Sequence, residues 1–105
     1  MNDNARKVRI GNIFAEAVQK AGAFRKSVNM QLACPEKGNG VLHAKVVVSS
    51  QDGDFKLLFA IGANDEVLAL GPKGPIPCSL TAESIERAIK DEIQKELGLR
   101  PFESG

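Results

Sequence analysis

Apolar residues change their spacing twice along this chain, from every third or fourth position to every second position and back. Between residues 28 and 61 apolar and polar side chains alternate, which is typical of half-buried β-strands. The apolar members are Val28, Met30, Leu32 and Cys34, then Leu42, Ala44, Val46 and Val48, then Phe55, Leu57, Phe59 and Ile61. The pattern predicts four strands, at about 27–34, 41–50, 55–61 and 67–70. Because the turns between them are short, the strands are expected to form an antiparallel meander.

Helical spacing flanks the alternating segment on both sides. Before it, Asn12 is a predicted N-cap and Gly22 a stop, which indicates a helix at about 12–22. Its stripe comprises Ile13, Phe14, Ala17, Val18 and Ala21, and Val8 and Ile10 would extend it if the helix began earlier. After the strands, Thr81 is a predicted N-cap and Gly98 a predicted C-terminal residue of a second helix. The stripe predicted for that helix is Ile85, Ala88, Ile89, Ile93 and Leu97. The sequence therefore predicts an α+β domain with an N-terminal helix, a four-stranded antiparallel meander and a C-terminal helix.

The chain has 105 residues, which suits one domain. We expect residues 1–11 to be a basic flexible arm, residues 12–100 to be the single α+β domain and residues 101–105 to be a tail. Three prolines within residues 71–77 remove strand amide donors, so this segment is predicted to be a stiff loop and not a central strand. The N-terminus lacks the apolar core of a signal peptide, and the longest apolar stretch, residues 57–61, is much shorter than the ~20 residues that span a bilayer. We therefore expect a cytoplasmic protein with reduced cysteines.

Few side chains are suited to catalysis, because there are only one His and two Cys. The formal net charge of +1 does not by itself indicate a nucleic acid or an acidic surface as a partner. His43 is predicted to be a solvated strand residue, because no motif supplies it with a nucleophile or an orienting carboxylate. Cys34 has the buried parity of its strand. Cys78 precedes the last helix, where proximity to the helix N-terminus would lower its pKa, although packing beneath the loop is the favoured prediction. Without close ligand pairs or a phosphate-binding glycine motif, the sequence predicts a non-catalytic protein with no metal and no cofactor.

Charged residues of both signs alternate along the last helix. The acidic ones are Glu83, Glu86, Asp91, Glu92 and Glu96, and the basic ones are Arg87, Lys90 and Lys95. Ion pairs four residues apart are predicted between Glu86 and Lys90 and between Asp91 and Lys95. This pattern is typical of a solvated helix face.

One short motif and the order of the elements resemble a known family. Four strands, the run Lys73-Gly74 and then Ser79-Leu80-Thr81-Ala82-Glu83 at a helix entry are similar to the positive-cofactor family of transcriptional coactivators. The similarity covers about residues 41–97. Members of the family are dimeric single-stranded-DNA binders with a β-β-β-β-α core, so the resemblance implies phosphate contacts by Lys45, Lys56 and Lys73. The chain departs from the family by its additional residues around 75–77, its first helix, its lack of a helix tryptophan and its few basic strand residues.

Two functional hypotheses follow from these patterns. The first is a small non-catalytic binding or assembly module that forms a homodimer through the sheet face opposite the helices, or that regulates one other protein partner. The interface residues predicted for that face are Val41, Val47, Leu58 and Ala60. The second is a regulatory protein that binds single-stranded nucleic acid, since basic residues gather near the N-terminus. Its predicted contact residues are Arg6, Lys7, Arg9, Arg25, Lys26, Lys45, Lys56 and Lys73. An enzyme that uses His43, Cys34 or Cys78 is the least favoured reading.

Overall fold

The fold is an α+β arrangement of one five-stranded antiparallel sheet and two helices. A computed structural model describes residues 3–24, 29–38, 41–51 and 53–97. The elements are α1 (Asp3–Phe24), β1 (Asn29–Gly38), β2 (Val41–Ser50), β3 (Gly53–Ile61), β4 (Val67–Gly71), β5 (Gly74–Ile76) and α2 (Ala82–Leu97). The strands lie side by side in their sequence order, β1-β2-β3-β4-β5. The predicted meander between two helices is therefore confirmed, with one strand more than predicted.

The additional strand lies in the proline-rich segment that was expected to be a stiff loop. A turn after Gly71 brings Gly74 opposite it, and Pro75 and Ile76 then pair with β4. Gly74 has a φ of 125°, a conformation that side chains with a Cβ rarely adopt. In the described sheet β5 is an edge strand, which is where strands tolerate a proline because one of their sides has no ladder partner. The loop prediction is wrong for Gly74–Ile76, which form β5, while the prediction that residues 71–77 form no central strand is confirmed.

The first helix is longer than the sequence indicated. It begins at Asp3, so Asn12 is an exposed residue inside the helix and not its N-cap. Residues 3–11, expected to be a flexible arm, are helical and hold the fully buried Ile10. Ile10 continues the apolar stripe toward the N-terminus, whereas Val8 is 61% exposed and lies outside it. The predicted arm is therefore wrong for these residues, because a tertiary contact of Ile10 overrides the polar local composition.

The first strand also extends beyond its predicted end. Pairing with β2 continues through Glu36, Lys37 and Gly38 after a shift in register between Ala33 and Glu36. A bulge in an edge strand accommodates Pro35, which cannot donate a ladder hydrogen bond. The predicted end of this strand at residue 34 is thus wrong, since β1 continues to Gly38, while residues 27, 28, 39 and 40 lie outside the described part of the chain.

Both helices cover one face of the sheet, and the alternation predicted for β2 and β3 is the basis of the core. The buried strand residues are Leu42, Ala44, Val46 and Val48 of β2, Phe55, Leu57, Phe59 and Ile61 of β3, and Ala69 of β4. From α1, Phe14 meets Phe59 edge-on, with ring centroids 4.9 Å apart and ring planes at 73°. These residues belong to one continuous cluster, which makes the described chain a single domain.

The second helix begins as predicted. The backbone amide of Ser84 donates to Thr81 Oγ1 at 3.1 Å, which satisfies one of the free amides in the first turn. Leu80 packs against the core cluster that contains Ile85, as a hydrophobic staple requires. Ile85, Ala88, Ile89 and Ile93 are buried, while the side chain of Leu97 and residue Gly98 lie outside the described residues.

Candidate interaction surface

The sheet face opposite the helices is called here the open face. In β2 it comprises Val41, His43, Lys45, Val47 and Ser49, in β3 Asp54, Lys56, Leu58 and Ala60, and in β4 Leu68 and Leu70. All alternate with buried residues, so their side chains point away from the core. Within the described residues no helix covers this face, and several of its large apolar side chains remain exposed to solvent.

Four apolar residues of β3 and β4 form a contiguous group on the open face, called here the apolar patch. Leu58 lies directly opposite Leu70, and Ala60 lies directly opposite Leu68. Leu58 is 46% exposed, Leu68 54% and Leu70 38%. Single exposed leucines are ordinary on protein surfaces, but adjacent ones in register form a patch of the kind found at interaction sites.

Sequence analysis predicted two members of this patch and missed the other two. Leu58 and Ala60 were expected on the open face, whereas Leu68 and Leu70 were assigned to a strand without a face. The register Phe59–Ala69 turns Ala69 inward and both leucines outward. The signal was present in the alternation of residues 67–70, but its phase depends on how the turn at residues 62–66 aligns the two strands. Val41 and Val47, the other predicted interface residues, are half-buried on β2 of the same face.

Beside the apolar patch lies an open depression of about 780 Å³. Leu58 and Leu70 contribute apolar surface to it, and Lys45 and Lys56 contribute positive charge at its border. Gly71, Pro72 and Gly74, at the β4–β5 turn, also line it. The depression can accept side chains of another polypeptide, because it is broad, shallow and partly apolar.

The open face carries both signs of charge. Lys45 and Lys56 are exposed and basic, and Asp54 and Glu66 are exposed and acidic. Glu66 belongs to this face because a Cβ added at Gly62 would overlap the Glu66 carboxylate. Since Ile61 points into the core, an added side chain at Gly62 would point to the open face. The formal charges of these four side chains cancel.

The basic residues predicted to bind nucleic acid do not share one surface. Arg6 and Arg9 bind Asp65 at the β3–β4 turn, and Lys73 lies 3.9 Å from Glu96. Lys7 is half-buried on α1, while Lys45 and Lys56 lie on the open face and Arg25 and Lys26 lie outside the described residues. Phe55 and Phe59 are buried, as is Phe14, so these rings cannot stack on bases.

A small ionic cluster joins α1 to the β3–β4 turn. Arg6 donates to the carbonyl of Gly62 at 2.6 Å and to Asp65 Oδ1 at 3.0 Å, while Arg9 donates to Asp65 Oδ2 at 3.1 Å. Hydrogen bonds from Arg6 and then Arg9 lower the pKa of Asp65 below its ordinary value. Asp65 has a left-handed φ of 64°, which Asp adopts more readily than most residues. The cluster fixes the long first helix to the sheet.

The residues considered for catalysis lie on different sides of the sheet. His43 is exposed on the open face, whereas Cys78 is half-buried against the core cluster. Burial raises the pKa of the Cys78 thiol, and Ser84 Oγ donates to its sulfur at 3.8 Å. The pKa of Cys78 is therefore not lowered by the nearby helix N-terminus. The favoured prediction, that Cys78 packs beneath the loop, agrees with its contact with the core cluster. Cys34 occupies β1, but its side chain lies outside the description. No group of three or more His, Cys, Asp or Glu side chains suited to hold a metal ion occurs in the described ranges.

Part of the helix face predicted to be solvated is buried. Glu92 is only 2% exposed, and its Oε1 has no hydrogen-bond partner in the described structure. A Cβ added at Gly71 would lie 2.6 Å from that oxygen, so the glycine leaves room for the carboxylate. Lys95 pairs with Glu92 at 3.5 Å and not with the predicted Asp91. The predicted pair of Glu86 and Lys90 is confirmed at 3.4 Å.

Comparisons with known proteins give no relative. The chain matches no protein-family model, no curated protein and no solved structure. The similarity to the positive-cofactor family therefore stays a prediction. No helix among the described residues is long and apolar enough to cross a membrane.

Proposed function

We propose that this protein is a non-catalytic assembly module that forms a homodimer through the open face of its sheet. The observation that carries the proposal is the apolar patch, in which Leu58, Leu68 and Leu70 are adjacent and exposed. The core does not need these side chains, since the helices pack on the opposite face. Association through the patch would remove them from water, which stabilises a complex by about 25 cal/mol for each Å² of apolar surface buried.

The charge of the open face favours a second copy of the chain as the partner. Among the described side chains, Lys45 and Lys56 are balanced by Asp54 and Glu66, so the face offers basic and acidic groups to a second copy. A strongly acidic or basic partner would leave one sign unpaired at the interface, which costs free energy on desolvation. A face with balanced charges is suited to an isologous contact, in which the same surface is used by both copies.

Light scattering coupled to size-exclusion chromatography tests the proposal over a series of protein concentrations. The molar mass is expected to rise toward twice that of the chain, and Leu68→Ser is expected to shift the rise to higher concentration. Val8→Ser is the matched control, because Val8 is an exposed apolar residue of α1 away from the open face. A strictly monomeric mass at high micromolar concentration would contradict the proposal.

Nucleic-acid binding is the second outcome that this surface allows. Lys45 and Lys56 lie beside the depression, but the described aromatic rings are buried. Fluorescence anisotropy with a labelled single-stranded oligonucleotide at low salt measures this directly. If the chain binds the oligonucleotide in a salt-sensitive way and Lys45→Glu abolishes the binding, the open face binds nucleic acid and the proposal of self-association is contradicted.

A further inference from the structure

The charges on the open face indicate how two copies are oriented. On β3, Leu58 and Ala60 belong to the apolar patch, and the level of Phe59 is its centre along the strand. Lys56 precedes that level by three residues, and Gly62 follows it by three residues. At the usual rise of ~3.3 Å for each strand residue, both positions lie ~10 Å from the centre. The Glu66 carboxylate covers Gly62, so opposite charges stand at equal distances on the two sides of the patch.

Both charges are available to a partner. Lys56 and Glu66 are exposed, and neither takes part in an ion pair within the described residues. Lys56 lies in β3, and Glu66 lies in the turn directly before the neighbouring strand β4. Because neighbouring strands are ~4.8 Å apart, a lysine side chain above Gly62 of another copy reaches the Glu66 carboxylate of that copy.

Building on the proposed homodimer, we propose that its two-fold axis runs across the strands, so that facing strands run in opposite directions. Lys56 of each copy then pairs with Glu66 of the other. Along β3, Leu58 of one copy faces Ala60 of the other, so a larger side chain lies against a smaller one. Along β4, Leu70 of one copy faces Leu68 of the other. A two-fold axis along the strands would instead place β3 of one copy over β4 of the other, with residues that are paired within the sheet facing each other. Lys56 would then lie over the β4–β5 turn, without an acidic partner.

Charge reversal tests this orientation. Lys56→Glu and Glu66→Lys, each alone, place like charges together twice in the dimer, and each is expected to weaken dimerisation about tenfold or more. In an equimolar mixture the heterodimer of the two variants has opposite charges at both facing positions, and its association is expected to return to within about threefold of the unmodified protein. Arg87→Glu is the control for Lys56→Glu, since Arg87 is an exposed residue of α2 without an ion pair among the described residues and its reversal lowers the net charge equally.

A further variant tests the orientation by strengthening the dimer instead of weakening it. On β2, Lys45 lies at the level of Leu58 and His43 at the level of Ala60, so the proposed axis places Lys45 over His43 of the other copy. His43→Glu adds two Lys–Glu pairs and is expected to tighten the dimer several-fold. An axis along the strands creates no such pair, and unchanged or weaker association of His43→Glu would count against the proposed orientation.

Sedimentation equilibrium of the unmodified chain, the single variants and the mixture separates the two proposals. A monomeric unmodified chain contradicts the homodimer itself. A dimeric unmodified chain with a mixture no tighter than either single variant contradicts the orientation alone. Restored association in the mixture together with a tighter His43→Glu dimer supports both.

Discussion

The two faces of β3 belong to one strand and yet have opposite physical roles. Phe55, Leu57, Phe59 and Ile61 point toward the helices and are at most 8% exposed. Their immediate neighbours on the other face include Leu58, which is 46% exposed, and Lys56, which borders an open depression. The first set stabilises the monomer, whereas the second contributes little to the monomer and is available to a partner.

The same contrast in β4 is less expected, because there the larger side chains point outward. Ala69 is fully buried, while Leu68 and Leu70 on either side of it are exposed. Burial of a leucine side chain stabilises a fold by about 1.5–3 kcal/mol, so a strand selected only for monomer stability would place its leucines inward. The distribution observed in β4 is the one that the proposed association through the open face requires.

The largest difference between the faces is expected from truncating adjacent leucines of β3. Leu57→Ala leaves a cavity in the core and is expected to lower the free energy of unfolding by about 2–5 kcal/mol. Leu58→Ala on the other face is the matched control, with an expected change within about 0.5 kcal/mol at concentrations where the chain is monomeric. Urea denaturation followed by circular dichroism measures both. Equal losses would mean that both faces of β3 are packed in the monomer.

Enlarging an alanine on each face gives the next largest effect. Ala69 is fully buried, so Ala69→Leu forces additional methylene groups into a packed core and is expected to cost about 1–3 kcal/mol. Ala60→Leu adds the same groups to the half-exposed patch, where we expect unchanged monomer stability but weaker association, because the proposed orientation sets Ala60 against Leu58 of the other copy. Thermal unfolding and sedimentation equilibrium distinguish the results. Tolerance of Ala69→Leu would show that the helices leave free space above β4.

The helix layer itself depends on a local hydrogen bond that the open face does not need. Thr81→Ala removes the acceptor for the Ser84 amide and is expected to destabilise the protein by about 1 kcal/mol. Thr81→Ser retains a hydroxyl and is expected to lose much less. The dimerisation constant should be the same in both variants once each is folded. If Thr81→Ala were as stable as Thr81→Ser, the hydroxyl at position 81 would not stabilise the start of α2.

The smallest effect is expected at the exposed cluster that links α1 to the β3–β4 turn. The pKa of Asp65 is lowered by Arg6 and then Arg9, so its stabilising contribution is present above the ordinary carboxylate pKa of ~4. That contribution is lost as pH falls through the lowered pKa, when the folded state also takes up the proton. Asparagine also adopts the left-handed backbone, so Asp65→Asn removes the charge without backbone strain. The variant should therefore have a lower free energy of unfolding than the unmodified protein at pH 7 but not near pH 2. Denaturation at both pH values measures the difference, and a deficit that persists in acid would assign the effect to backbone strain.

Much of the fold follows from local patterns that sequence analysis can read. The alternation in β2 and β3 predicted which side chains are buried, and Thr81 and the stripe from Ile85 to Ile93 predicted the start and inner face of α2. Leu58 and Ala60 were assigned to the correct face for the same reason. Each of these predictions needs only the period of a helix or strand and the chemistry of a cap.

The missed features depend on contacts between residues distant in sequence. Ile10 and Arg6 extend α1 because they meet the core and the turn at Gly62. Glu92 is buried because β4 ends above it at Gly71.

The sequence alone thus established where the central strands alternate, where α2 begins and which side of the central strands is apolar, since these are properties of neighbouring residues. The folded structure added β5, the outward leucines of β4 and the pairing of Leu58 with Leu70. Strand register is set by pairing between separate segments and shifts side chains to the other face with a single-residue change, so no local period contains it.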